Sequence, residues 1–293
     1  MAKHSESIAN FGVNSYGPDI ELDFILQFME RQHKQSNPFF VYHTTHLGHD
    51  GFDYLHPESG NKWPGTPIVN WDGEKYTRIT PNITGSNGKY NTNGTVSEPG
   101  MHSHVKYLDY QIWQYLEKLK ALGIENDTIL IITADNGTSG YGKASPVKQR
   151  GTHVPLVIYA PGVEMTKQGK QPIIASIADI LPTLADIMGQ SIPADYEIHG
   201  ESLWPYLTTQ TQKHRDWIYA YRGKQTLIRG HKVMKDGQNN WWDVSQTPAD
   251  LDSFPKITNW QTMSAEHRAE KQKLQAVIPR FDNYQTQHDP LVK

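Results

Sequence analysis

The sequence predicts an α/β fold: a mostly parallel sheet flanked by helices, then a small carboxyl-terminal antiparallel sheet with a helix. Three observations carry that expectation. Helical and strand patterns alternate up to Leu207. The run Thr128-Ile-Leu-Ile-Ile132 is wholly β-forming, as a buried strand would be. Beyond Leu207, short strand patterns separated by Gly-rich turns read as an antiparallel meander. The expected division is 1–207 for a partial α/β core and 208–293 for the antiparallel part.

Taken in order, residues 1–17 show no periodicity. Pro18 and Asp19 open a helix over Asp19–Gln35, with Leu22, Ile25, Leu26 and Met29 on one face. Ser36-Asn37-Pro38 stops it, and Phe39–Tyr42 is expected as a short buried strand. Residues 51–100 are polar and rich in Gly, Asn and Pro, and read as a surface excursion covering a site. Met101–Leu122 carries a continuous apolar stripe from Val105 to Leu122, with Gly123 as its stop. Val154–Tyr159 reads as a strand, and Ile177–Ile187 as a helix that Pro182 bends or shortens. Trp217–Tyr221, Gln225–Ile228, Lys232–Met234 and Trp241–Val244 are the later strands. A charged helix is expected over Met263–Ile278, and a frayed end over Arg280–Lys293.

Composition narrows the function. A net charge of −3 without a Lys/Arg block gives nothing to attract nucleic acid. The absence of cysteine excludes disulfides, thiolate metal sites and a cysteine nucleophile within these residues. No apolar run approaches the roughly 18 residues needed for a membrane span. The start, Met1-Ala-Lys-His, lacks the apolar segment of a signal peptide, so either the protein is cytoplasmic or its true amino terminus lies upstream. The 8 Trp and 15 Tyr suit sugar-stacking surfaces and ordinary cores equally.

Two stretches carry candidate chemistry. The Thr128 strand runs into Asp135-Asn136-Gly137. There a carboxylate and an amide oxygen offer hard donors for Ca²⁺ or Mg²⁺, although the same tripeptide also makes a plain turn. After the Phe39 strand come His43, His46 and His49. They form either a polar loop with surface imidazoles or a metal or anion site. Their spacing of three does not match a helical zinc pair.

The ordered series of motifs resembles the carboxyl-terminal part of the type I, formylglycine-dependent sulfatases of the alkaline phosphatase superfamily. It comprises Pro38-Phe-Phe-Val-Tyr with His49-Asp50, Tyr107-Leu-Asp109, Leu122–Thr128 with Ala134–Gly137, and Gly142-Lys143. Arg150–Leu156, Ala160-Pro-Gly162, Ser176–Asp179, Leu181-Pro-Thr183, Gly200–Leu203 and Trp242-Asp-Val244 follow. The resemblance implies that Asp135 and Asn136 bind a divalent cation, Ca²⁺ before Mg²⁺. It implies that His49 hydrogen-bonds the ester or sulfate oxygen and protonates the leaving alkoxide, and that Lys143 neutralises sulfate charge. His46 is a pocket-lining candidate. Lys148 rivals Lys143, because the spacing from Lys143 to Pro155 is about one residue longer than the family pattern. His153 stands where the family often has arginine, and a structural role is expected for it.

Two departures stand out. Gly51 occupies a place where the family often has proline. The nucleophile motif Cys-x-Pro-x-Arg or Ser-x-Pro-x-Arg, whose first residue becomes formylglycine, occurs nowhere in the chain, nor does the family's amino-terminal acidic pair. The expectation is therefore a fragment or truncated product, inactive alone and needing the missing amino-terminal segment in cis or in trans. The implied substrate is an aryl or carbohydrate sulfate, small or polymeric, and the implied location periplasmic or secreted. The alternatives are a non-catalytic sulfated-glycan-binding protein and a phosphatase or phosphodiesterase of the same superfamily.

Overall fold

The computed structural model describes residues 17–49, 66–78, 97–98, 101–137, 143, 149–247 and 253–288. The chain divides into two compact units. One is Met1–Thr128 with Ala160–Gly162, and the other is Ile129–Tyr159 with Val163–Lys293.

In the first unit, helix α1 (Gly17–Lys34) buries Leu22, Ile25 and Met29, the stripe expected from the sequence. Arg31, His33 and Lys34 stand in its last turn, where cations favour the helix dipole. Of the stretch 51–100, the described residues 66–78 and 97–98 include short strands. Strand β1 (Thr66–Pro67) pairs with β4 (Ser97–Glu98), and β2 (Val69–Trp71) forms a hairpin with β3 (Tyr76–Arg78). Helix α2 (Met101–Leu122) has the predicted bounds. It closes with Gly123 at φ +70, a conformation suited to glycine, and with the Ile124 N–H on the Leu119 carbonyl at 3.0 Å.

Two apolar clusters hold this unit together: Leu22, Val69, Tyr107 and Tyr110, and Ile25, Met29 and Leu119. Beside them Asp19 accepts from the Tyr107 hydroxyl and pairs with Arg78 at 2.6 Å. Burial pushes the Asp19 carboxyl up, against the opposing pull of Arg78 and Tyr107.

In the second unit, β5 (Leu130–Thr133) pairs antiparallel with β6 (Leu156–Tyr159), Ile131 facing Ile158. The expected helix after Ser176 is split. A 3₁₀ turn over Ile177–Asp179 leads into α3 (Ile180–Ile187), which keeps Pro182 in its first turn, where no intrahelical N–H is lost. Helix α4 (Trp204–Thr208) follows.

The meander forms as expected. Strands β7 (Ile218–Arg222), β8 (Gln225–Arg229), β9 (Val233–Lys235) and β10 (Trp241–Asp243) lie in the order β10-β9-β8-β7. Helix α5 (Ala265–His288) places Leu274 against Ile228 and Val233. Its Glu270 carboxylate accepts the N–H groups of His231, Lys232 and Val233 at 2.7 to 2.9 Å. The helix continues through Pro279, so the frayed end expected from Arg280 is instead helical to His288.

Two expectations about the core change. Phe39–Tyr42 is not a strand; Phe40 is 67% and Tyr42 81% exposed. An extended segment becomes a strand only when a neighbour completes its ladder, and among the described residues none does. The Thr128 strand starts at Leu130, is half-buried, and among the described residues pairs with β6 alone. Every strand pairing among the described residues is antiparallel. The parallel pairing expected for the core is not among them.

Candidate functional site

Strand β5 delivers Asp135 and Asn136 to the turn that follows it. Asp135 is exposed and Asn136 half-buried. The Asn136 N–H donates to Asp135 Oδ1 at 2.9 Å, and its side-chain amide to Oδ2 at 2.6 Å. The turn is clamped behind. Gly137 N–H donates to the Gly151 carbonyl at 3.0 Å, and a Cβ on Gly137 would lie 2.5 Å from the Arg150 carbonyl oxygen, so only glycine fits.

The clamp is itself anchored. Gln149, 3% exposed, accepts from Arg229 of β8, and its carbonyl accepts the N–H groups of Thr152 and His153. His153 lies beside it, with Nδ1 3.4 Å from Gln149 Nε2. Partial burial of the ring, with the charges of Arg229 and Lys170 nearby, lowers its pKa.

The donor chemistry of Asp135 and Asn136 fits a hard divalent cation in kind. It fits only part of the shell, because Ca²⁺ takes about six to eight oxygens. Among the described residues no cluster of three or more His, Cys, Asp or Glu could hold a metal ion. Lys143 is a half-buried turn residue of the same unit, while Lys148 lies outside the described residues. Asp135 and Asn136 are thus brought into contact, and no contact between either and Lys143 is seen among the described residues.

The histidine loop belongs to the first unit, and its two imidazoles nearest the strand segment share one carboxylate. His43 Nε2 lies 3.0 Å from Glu21 Oε2, and His46 Nδ1 lies 3.2 Å from Glu21 Oε1. Tyr115 of α2 lies 2.9 Å from His43 Nδ1. Burial and Glu21 push the Tyr115 phenol up, so it stays protonated and can donate to Nδ1. Each ring nitrogen of His43 thus has a partner, Glu21 at Nε2 and Tyr115 at Nδ1.

His49 is exposed beyond Gly48, whose φ of +89 favours glycine. Gly48 N–H donates to Nδ1 of His104, a histidine only 2% exposed, at 3.1 Å. His49 N–H donates to the His46 carbonyl at 3.2 Å. Helix α2 therefore sets where His49 sits. Sequence reading found the three loop histidines but missed Glu21, His104 and Tyr115. These act across separations of 22 to 72 residues, which no local pattern reports.

The profile of the Sulfatase family matches residues 7–190. This chain belongs to the sulfatase family. It is 26% identical over 200 residues to the uncharacterized sulfatase YdeN of Escherichia coli, an alignment covering 64% of this chain and 32% of that protein. It is 27% identical over 190 residues to the Delta 4,5-hexuronate-2-O-sulfatase of Bacteroides thetaiotaomicron, covering 57% and 38%. The matched stretch thus spans about a third of the length of these curated relatives.

A Vibrio parahaemolyticus protein of the alkaline phosphatase superfamily shares the fold with a TM-score of 0.53 at 19% identity, over 92% of this chain and 54% of that one. Membership implies a metal cofactor and a formylglycine. Among the described residues no helix is long and apolar enough to cross a membrane.

Proposed function

We propose that this sulfatase-family chain handles the sulfate group of a sulfuric ester, aryl or carbohydrate. The observation that supports this best is the family match across residues 7–190, which includes the exposed Asp135 carboxylate on its clamped turn. Asp135 and Asn136 would supply two oxygens to a divalent cation, Ca²⁺ before Mg²⁺. When bound, that cation would neutralise charge on the sulfate oxygens. Lys143, with Lys148 as its rival, would offset further sulfate charge. His49 would donate to the ester oxygen, with His46 lining its loop.

These residues contain no cysteine and no Ser-x-Pro-x-Arg run. A formylglycine nucleophile would therefore come from another polypeptide segment, joined to this chain or separate. Without it covalent turnover stops. That same absence favours a second reading, in which the chain binds sulfated glycans without cleaving them.

The test is equilibrium dialysis of an aryl sulfate against the chain in Ca²⁺. Asp135→Ala and Lys143→Ala should each weaken binding by about tenfold, the equivalent of one charge-assisted contact. Binding unchanged in both variants would overturn the assignment.

A further inference from the structure

The β2–β3 hairpin carries a feature that the sulfate-handling residues do not use. Its strands end in a paired Trp71 and Tyr76, joined by Asp72-Gly73-Glu74-Lys75. The turn is fixed by Asp72 Oδ1, which accepts the N–H groups of Glu74 and Lys75 at 2.9 Å each. Trp71 stands outside the apolar clusters and is 49% exposed. Its ring lies 4.9 Å from that of Tyr76, tilted by 50°.

Tyr76 in turn packs on Tyr110 and Trp113 of α2 at 5.9 and 5.8 Å, and its hydroxyl donates to Asp109. The exposed indole is therefore the outer member of an aromatic stack whose inner members are anchored. A ring already held in place loses little freedom when a ligand covers it.

From this stack we infer a carbohydrate-binding platform: Trp71, backed by Tyr76, stacks on the face of a pyranose ring in a polysaccharide chain. The surroundings favour a sugar over a protein partner. Asp72, Glu74 and Lys75 of the turn beside the ring are all exposed polar residues. One indole in a polar rim is too small an apolar patch for a protein interface. It suits a ligand with an apolar ring face and hydroxyls at its edge.

Helix α2 links the platform to the histidine loop. It holds Gly48 through His104 and the hairpin through Asp109 and Tyr110. Six residues of helix separate His104 from Tyr110, about 9 Å of rise. A chain whose sulfated residue is engaged by His49 would extend toward Trp71. This last step rests on the proposed function and makes a polysaccharide, rather than a small aryl sulfate, the substrate class.

The test uses chondroitin sulfate hexasaccharide and its chemically desulfated counterpart, with binding to the full chain followed by titration calorimetry. Trp71→Ala should weaken both probes by about tenfold, and Trp71→Phe should restore part of that loss. Circular dichroism and thermal unfolding of both variants should match the unsubstituted protein, because the ring is outside the core. Failure of the unsubstituted protein to bind either probe, or equal affinity in Trp71→Ala, overturns the platform. Lys143→Ala reads the other proposal separately, since it should abolish only the preference for the sulfated probe. If that preference survives while Trp71→Ala still weakens both probes, the sulfate assignment fails and the platform stands.

Discussion

Asp179 and Asp135 are two carboxylates of the same unit in opposite situations. Asp179 is fully buried and its carboxylate meets four donors. His214 and Arg215 reach it at 2.9 and 2.8 Å, and the N–H groups of Ser176 and Glu201 at 2.8 and 2.9 Å. The Ser176 hydroxyl completes the capping box by accepting the Ala178 N–H. Asp135 is exposed, and its neighbour Asn136 supplies the donors seen among the described residues. The first carboxylate has its hydrogen-bonding capacity met by the fold. The second keeps room for a ligand. Resemblance to a family alone does not separate these cases, because both residues lie in matching motifs; burial and donor count do.

The largest expected effect is on Asp179. Asp179→Ala would leave Arg215, 6% exposed, with the more distant Glu201 carboxylate at 3.6 Å in place of Asp179 at 2.8 Å. Breaking such a buried pair costs roughly 3–5 kcal/mol, which urea unfolding would read directly. A loss below about 1 kcal/mol would show that the node is ornamental. The same node gives a pH dependence. Burial pushes the Asp179 carboxyl up, but His214, the Glu201 and Ser176 amides and Arg215 outweigh it, so its pKa is lowered from 3.8. The stability it contributes is therefore complete above pH 3.8 and is lost as pH falls through the lower folded value. Urea midpoints of Asp179→Asn measured down through this acid range should lack that part of the decline.

A smaller effect is expected at Glu21. Its carboxylate is 27% exposed and holds His43 and His46 at the surface of the first unit. Glu21→Gln should cost about 1 kcal/mol or less by the same unfolding assay. It should broaden the His46 and His49 amide signals in NMR spectra, since the loop loses a shared anchor. The smallest effect on stability is expected at Asp135. Asp135→Ala should stay within about 0.5 kcal/mol of the unsubstituted chain while removing Ca²⁺ binding. A large loss of stability there would place Asp135 in the same class as Asp179.

Much of this contrast was legible in the sequence and some was not. The stripe of α2 gave its bounds, and the Gly-rich turns after Leu207 gave the meander, because both signals are local. The β2–β3 hairpin was missed although Val69-Asn-Trp and Tyr76-Thr-Arg flank Asp72-Gly73, a turn signal. Strands of three residues are too short for alternation to stand out. Phe39–Tyr42 looked like a strand because its side chains are apolar, yet a ladder needs a partner that composition does not report. At the candidate site the loop histidines and Asp135-Asn136 were visible as residue types. Glu21, His104 and the Gln149–Arg229 anchor were not, because their contacts join distant parts of the chain.

The most direct measurement of the central claim, a chain with sulfate-handling residues but no nucleophile, is hydrolysis of an aryl sulfate by residues 1–293 in Ca²⁺. It should be run alone and again with a polypeptide bearing formylglycine in the Ser/Cys-x-Pro-x-Arg context of a related sulfatase. The account predicts no turnover by the chain alone. Turnover should appear only with the added segment and be abolished by Asp135→Ala. Turnover by the isolated chain, itself abolished by Asp135→Ala, would contradict it.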